Sequence, residues 1–224
     1  NLSEILKQID QRDEAKECLR NAIQVNPDVA DIHNNLGALF YADEFFEESI
    51  KCFKKAIEID PKLADIYNNL GNAFKDIKLF EEAMKSYETA IELEPNSAEI
   101  HNNFGSLLSE NLSRHDDAII SFKKAISLDL YFYPAHLNLG HTFVALNQYE
   151  SAVEAYKSTM TIKPDLGNIL GNLLNAKMNC CNWEKYNSLL NIKNIKKEFL
   201  DGKKVIAPFF LLSLIDDPAL QRKA

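Results

Sequence analysis

The sequence predicts an all-α fold, a right-handed superhelix (solenoid) built from a repeated pair of helices. The segments IHNNLGALF, IYNNLGNAF and IHNNFGSLL place Gly37, Gly71 and Gly105 34 residues apart, and Gly140 follows after 35. A period of this length is the signature of an array in which each unit buries its apolar face against its neighbours. Apolar residues also recur every four positions within each unit, as on one face of a helix.

Each unit contains two amphipathic helices. In the second unit apolar residues stand four positions apart in both, at Ile66, Leu70 and Phe74 and then at Ala83, Tyr87 and Ile91. A proline just past the second helix ends it, because proline lacks the helical N–H and disfavours helix in the preceding residue. The pattern predicts helices over 30–43, 47–60, 64–77, 81–94, 98–111, 116–129, 133–146, 150–163 and 167–179.

Small residues mark the place where the two helices of a unit cross. Gly71 is predicted to face Ala83, and Gly105 to face Ala118. The absent or small side chains let the backbones approach closely, while a Phe or Tyr fills the adjoining gap.

The order Leu-Gly, aromatic, Ala, aromatic, Ala, Pro at this spacing resembles the tetratricopeptide repeat. The resemblance implies a partial repeat at 1–29, four full repeats over 30–166, a degenerate capping repeat at 167–200, and a linker at 201–224 toward a catalytic domain that the chain lacks. Since the chain begins inside a repeat, we expect it to be cut from a longer array. The third repeat has one extra residue in its SENLSRH turn and Leu130 for the expected proline, which predicts a longer turn and a softer boundary there.

The fifth repeat departs further from the pattern, with Leu174 for the glycine, Lys177 for the aromatic residue and Tyr186 for the small alanine. We interpret it as a closing cap anchored by Trp183. The apolar run from Val205 to Ile215 would be a sticky patch if exposed, so we expect it to pack on the last repeat or on the catalytic half.

An asparagine stands at one position in the first helix of every repeat, and these residues are Asn35, Asn69, Asn103, Asn138 and Asn172. A carboxamide both donates and accepts hydrogen bonds, so a row of five can pair with peptide groups of an extended segment without reading its side chains. Further asparagines widen this face, namely Asn34, Asn68, Asn102 and Asn72. We predict that all nine bind peptide. The alternative is that they bond only to a neighbouring turn or to water, and their recurrence favours binding.

The NNLGNAF-type repeats, NLLNAKMNCCNWEKY and APFFLLSLIDDPALQRKA are similar to parts of the protein O-linked N-acetylglucosamine transferases and their SPINDLY-like bacterial relatives. The resemblance implies that the asparagine row is a ladder on a concave face that recognises acceptor proteins, with the sugar-nucleotide site in later domains. No catalytic residue can be assigned in this chain, because its last histidine, His141, lies within a repeat and it has no glycine-rich phosphate loop. We therefore expect a non-catalytic arm that needs no cofactor.

The composition argues against several other classes. The chain has 46% hydrophobic and 26% charged residues, typical of a soluble protein. Its formal charge of −8, with cations and anions interleaved, disfavours nucleic acid. Its longest apolar run is far shorter than the roughly 20 residues of a membrane span, and its N-terminus lacks the features of a signal peptide. A cytoplasmic location is expected.

Histidines and cysteines do not show the spacing of a metal site. His33, His101 and His136 share one repeat position with Tyr67, which favours helix packing, since a whole repeat separates even the closest pair. The cysteines, Cys18, Cys52, Cys180 and Cys181, form no CxxC pair and are interpreted as reduced packing residues.

The main hypothesis from the sequence is the acceptor-recognition arm of a SPINDLY-like O-GlcNAc transferase. Its expected partners are extended peptide segments of acceptor proteins, and homo-oligomerisation is left open. The alternative is a free-standing adaptor or scaffold protein. A clamp for a chaperone's terminal carboxylate fits poorly, because it uses lysines in the first helix where this chain has Asn34, Asn68, Asn102 and Leu137.

Overall fold

The computed structural model describes residues 2–180, with side chains from residue 11 onward, and this part of the chain is all-α as predicted. Its helices are α1 (Leu2–Val25), α2 (Ala30–Ala42), α3 (Phe46–Ile59), α4 (Ala64–Asp76), α5 (Phe80–Leu93), α6 (Ala98–Ser106), α7 (His115–Leu128), α8 (Tyr133–Ala145), α9 (Tyr149–Ile162) and α10 (Ile169–Asn179). None of them is long and apolar enough to cross a membrane. Cys181, Trp183, Tyr186, the linker 201–224 and its run Val205–Ile215 lie outside the described residues.

The chain divides into two compact units, Asn1–Arg114 and His115–Ala224. In the first unit each helix from α1 to α6 packs on the next, and in the second unit α7 packs on α8, α8 on α9 and α9 on α10. Contacts between successive elements are what a repeat array requires. The predicted helices begin within two residues of the observed ones, so the prediction of consecutive helix pairs is confirmed.

The glycine of each repeat lies against the aromatic ring of the second helix. A Cβ atom placed on Gly37 would lie 2.7 Å from the Phe53 ring, and one on Gly71 would lie 2.8 Å from the Tyr87 ring. Both rings are buried, so they have little room to move away. The predicted packing of a Phe or Tyr beside the glycine is confirmed, and at Gly71 the Tyr87 ring, not Ala83, provides the nearest atoms.

The turn between the two helices of a repeat has three residues, and its middle residue adopts a positive φ. These middle residues are Glu44 (64°), Lys78 (65°), Ser113 (54°) and Asn147 (57°). In the first repeat the turn closes when the Phe45 N–H donates to the Phe40 carbonyl at 2.9 Å. A left-handed residue is a common end for a helix, although it costs energy in a residue other than glycine.

The extra residue of the third repeat lies in the helix, so the prediction of a longer turn is wrong. α6 continues into a π-helical turn, Leu107–Asn111, and the following turn again has three residues, 112–114. The Arg114 N–H donates to the Leu108 carbonyl, six residues earlier, at 2.8 Å. The equivalent bond in the first repeat, from Phe45 to Phe40, joins residues five positions apart. A π-helical turn accommodates one inserted residue while the rest of the helix stays regular.

The prediction of a softer boundary at Leu130, between the third and fourth repeats, is also wrong. Four residues separate α7 from α8, as four separate α5 from α6. The His136 Nε2 donates to the Leu130 carbonyl at 3.1 Å, and the His101 Nε2 donates to the Pro95 carbonyl at 3.0 Å. Because the acceptor is a backbone carbonyl, leucine can replace proline and keep the bond.

Ion pairs link α1 to the residue that follows α2. Asp43 pairs with Lys16 at 2.7 Å and with Arg12 at 2.9 Å, and Lys16 also pairs with Asp13 at 2.6 Å. The hydrogen bonds from Lys16 and then Arg12 hold the pKa of Asp43 below its ordinary value. The bonds to Asp13 and Asp43 raise the pKa of Lys16, whose side chain is almost buried.

Replacing Asp43 with asparagine is expected to lower the free energy of unfolding by about 1–2 kcal/mol near neutral pH, between the values for exposed and buried ion pairs. A carboxyl group with a lowered pKa stabilises the fold above its unfolded pKa, near 4, and loses that contribution as pH falls through the folded pKa. The Tm difference between wild type and D43N should therefore shrink below about pH 4, which thermal melts measure. Glu58→Gln, in an exposed pair with Lys55, is the control. Equal losses in the two variants would contradict the prediction.

Candidate peptide-binding site

The five asparagines of the predicted ladder lie on α2, α4, α6, α8 and α10, at the same position of each repeat. Asn35 is exposed, and the others are half-buried, namely Asn69, Asn103, Asn138 and Asn172. The carboxamides are therefore at least partly accessible to solvent.

The asparagines one position earlier lie deeper. Asn68 and Asn102 are 3% and 7% exposed, and Asn34 is half-buried. Buried polar side chains normally need hydrogen-bond partners, and these residues find them in neighbouring asparagines. Asn68 and Asn102 therefore contribute to packing, and their part in peptide binding stays a prediction.

Carboxamides of successive repeats are hydrogen-bonded to each other in the first unit. Asn69 Nδ2 donates to Asn34 Oδ1 at 3.1 Å, and Asn103 Nδ2 donates to Asn68 Oδ1 at 3.0 Å. The ladder residue of one repeat thus binds the deeper asparagine of the repeat before it. The sequence shows both asparagine positions in each repeat. It does not show which asparagine side chains of neighbouring repeats form hydrogen bonds with each other.

The ladder carboxamides keep hydrogen-bonding capacity after forming these bonds. A carboxamide has two N–H donors and an oxygen with two lone pairs. Asn69 uses one donor in its bond to Asn34. Asn103 uses one donor and accepts a bond from Asn102 at 3.4 Å. Because the bonds between repeats orient these carboxamides in advance, binding a ligand there would cost less conformational entropy.

Asn72 lies above the aromatic ring of the second repeat. Its Oδ1 accepts a hydrogen bond from the Tyr87 hydroxyl at 2.6 Å. Burial raises the pKa of Tyr87, so its hydroxyl stays protonated and remains a donor. The carboxamide oxygen of Asn72 is therefore used within the fold, while its NH₂ group can still face a ligand.

In the second unit Asn172 pairs with a histidine. Its Nδ2 lies 3.2 Å from Nε2 of His141, which is exposed on α8. Asn138, also on α8, engages a partner as well. His141 was not among the predicted site residues. The signal that could have found it is its place directly after the repeat glycine, the position that Asn72 occupies in the second repeat.

The three histidines that share a repeat position bind the turn that precedes their helix. His33 Nε2 donates to the Pro27 carbonyl at 2.8 Å, and His101 and His136 make the equivalent bonds. The packing role predicted for them is confirmed. Cys180 likewise packs on the apolar cluster formed by α9 and α10. Cys18 is exposed, so the packing role predicted for that cysteine is wrong. Within residues 2–180 no group of three or more His, Cys, Asp or Glu side chains is arranged to hold a metal ion.

Comparisons with known proteins support the repeat architecture. Profiles of the tetratricopeptide repeat match residues 5–43, 46–77, 64–97, 86–120 and 135–170. No curated protein matches the sequence significantly.

Several solved structures are similar to this chain. The MamA protein is 24% identical with a TM-score of 0.65, over 80% of this chain and 96% of that one. PilF of Pseudomonas aeruginosa is 21% identical with a TM-score of 0.71, over 90% and 95% of the two chains. YrrB, described as a TPR protein with an unusual peptide-binding site, is 20% identical with a TM-score of 0.62, over 79% and 90%. These likenesses support the fold, and the repeat profiles, which together match more than half of the sequence, show that the chain belongs to the tetratricopeptide repeat family.

Proposed function

We propose that this chain is a protein-binding scaffold that holds an extended segment of a partner protein by its backbone along the asparagine row. The observation that carries the proposal is the recurrence of a solvent-reachable carboxamide at one position of five helices. The similarity to YrrB, described as having a peptide-binding site, supports it.

The chemistry of a carboxamide suits it to a peptide backbone. Each peptide group presents one N–H and one C=O, and a carboxamide can bind both kinds of group. A hydrogen bond formed in this way contributes about 0.5–1.5 kcal/mol net, so useful affinity requires several of them. Three carboxamides in the first unit and two in the second can each form such bonds without demanding a particular partner sequence.

A test of backbone recognition can be made with one peptide, selected from a random library on the immobilised protein. N-methylation of a peptide N–H that pairs with the row removes a donor, and should lower affinity roughly 2- to 10-fold per bond. Alanine substitution at most positions of the same peptide should change affinity less. Isothermal titration measures both series. If methylation had no effect while side-chain truncation abolished binding, the proposal would be wrong.

A finer version of this function is the acceptor-recognition arm of a SPINDLY-like O-GlcNAc transferase. The resemblance of the NNLGNAF-type repeats supports it, and none of the comparisons adds to that support. The scaffold alone explains the geometry equally well. The two versions are distinguished by the full-length gene, since a sugar-nucleotide-binding half after Ala224 is expected only for the transferase arm. Its absence there would leave the free-standing scaffold.

A further inference from the structure

The fourth repeat differs from the second at the residue that covers the buried tyrosine. In the second repeat the Tyr87 hydroxyl donates to Asn72 Oδ1 at 2.6 Å. The equivalent pair in the fourth repeat is Tyr156 and His141, whose rings meet edge to face with centroids 5.7 Å apart. A carboxamide oxygen that could accept the tyrosine's proton is thus replaced by an aromatic ring.

The Tyr156 hydroxyl is left without a hydrogen-bond partner in the described part of the chain, although the residue is only 2% exposed. Its ring is held in place, since a Cβ atom on Gly140 would lie 2.5 Å from it. Burial raises the pKa of Tyr156, so the hydroxyl stays a donor. A buried donor without a partner is costly, so an acceptor supplied by a ligand would be favoured there.

A second donor lies beside the same histidine. Asn172 Nδ2 donates one hydrogen to Nε2 of His141 at 3.2 Å, which leaves its other N–H for a ligand. His141 thus contacts both Tyr156 and Asn172, and it fixes the direction of the Asn172 carboxamide. Tyr156 and Asn172 thus flank the same histidine, and each has a hydrogen-bond donor left for an acceptor.

The charges nearby favour a negatively charged acceptor. α8 and α10, which carry His141 and Asn172, contain no Asp or Glu. α9, which carries Tyr156, has Glu150 and Glu154, but both are exposed and Glu154 is paired with Lys157. By contrast α2, α4 and α6 each have an acidic residue in their first turn. An anion at the fourth repeat therefore meets no opposing charge from α8 or α10, and a hydrogen bond to a charged acceptor is about twice as strong as one to a neutral group.

We propose that Tyr156 and Asn172, positioned by His141, form a subsite that holds the carboxylate of an acidic side chain in the bound segment. The inference rests on the proposed peptide-binding function and names one feature of the partner. Backbone recognition along the row supplies the general affinity. The subsite adds a preference for a segment with an acidic residue at the fourth repeat.

The test uses two matched tyrosine variants. Tyr156→Phe removes the donor of the subsite, and phenylalanine already occupies the equivalent position as Phe53 and Phe122, so this variant should fold. Tyr87→Phe removes a hydroxyl that is bonded to Asn72 and is the control. Tyr156→Phe should leave Tm nearly unchanged, whereas Tyr87→Phe should lower it, because only the latter loses a hydrogen bond.

The probes are uncharged host peptides with blocked termini, each carrying one glutamate at a different position and paired with a glutamine version. Wild type should bind the best glutamate peptide about 10-fold more tightly than its glutamine pair, the ratio expected of a hydrogen bond to a charged group. Tyr156→Phe should reduce this ratio to near one, and Tyr87→Phe should leave it intact. A ratio of one in wild type, or an unchanged ratio in Tyr156→Phe, would overturn the subsite alone. Failure of both peptides to bind would overturn the proposed function and the subsite together.

Discussion

Replacing Gly71 with alanine is expected to destabilise the first unit by about 2 kcal/mol, the cost of overpacking a core reduced by alanine's better helix propensity. The new Cβ would lie 2.8 Å from the Tyr87 ring. That ring is fully buried and its hydroxyl is bonded to Asn72, so it cannot turn aside. The Tm should fall by roughly 5 °C, which a thermal melt followed by circular dichroism measures.

A double-mutant cycle identifies the ring as the cause of this loss. Leucine at position 87 lacks the outer ring atoms that the new methyl group would meet. In the Tyr87→Leu background, Gly71→Ala should therefore cost much less than it does in wild type. A Gly71→Ala variant as stable as wild type would show that the helices can separate without penalty. Equal costs in both backgrounds would place the clash elsewhere.

The helix bounds could be predicted because the 34-residue period and the proline positions constrain each other. The turns could not be predicted in the same way. Glu44 and Lys78 adopt positive φ, although neither is glycine or asparagine, because the bond that closes the turn outweighs the local preference of the residue. The π-helical turn at Leu107–Asn111 was also missed, since an inserted residue can extend a turn or widen a helix and the sequence does not distinguish the two.

For the candidate site, the sequence predicted the positions of the asparagines but not their contacts. Repeat position alone indicated the five ladder asparagines. It did not reveal that Asn68 and Asn102 are buried, or that Asn69 and Asn103 reach back to the previous repeat. Those facts depend on how side chains turn in the assembled helices. His141 was missed for the same reason, because its interest comes from the two side chains that surround it.

Replacing Asn69, Asn103 and Asn138 together with alanine is expected to weaken peptide binding by about 10-fold or more, since three hydrogen bonds of about 0.5–1.5 kcal/mol are lost. The variant should also lose some stability. Asn69 and Asn103 donate to Asn34 and Asn68, and the Asn68 oxygen would be left buried without its donor. We expect that cost to be about 1–3 kcal/mol, so the protein should stay folded at room temperature.

A titration of the library-selected peptide against the folded triple variant tests backbone recognition most directly. Asn21, Asn26 and Asn96 are exposed and lie outside the row, so their triple alanine variant is the matched control. Circular dichroism first confirms that both variants are folded at the temperature of the titration. The expected result is binding at wild-type strength by the control and at least about 10-fold weaker binding by the row variant. Wild-type affinity in the folded row variant would contradict the claim that the asparagines hold the peptide.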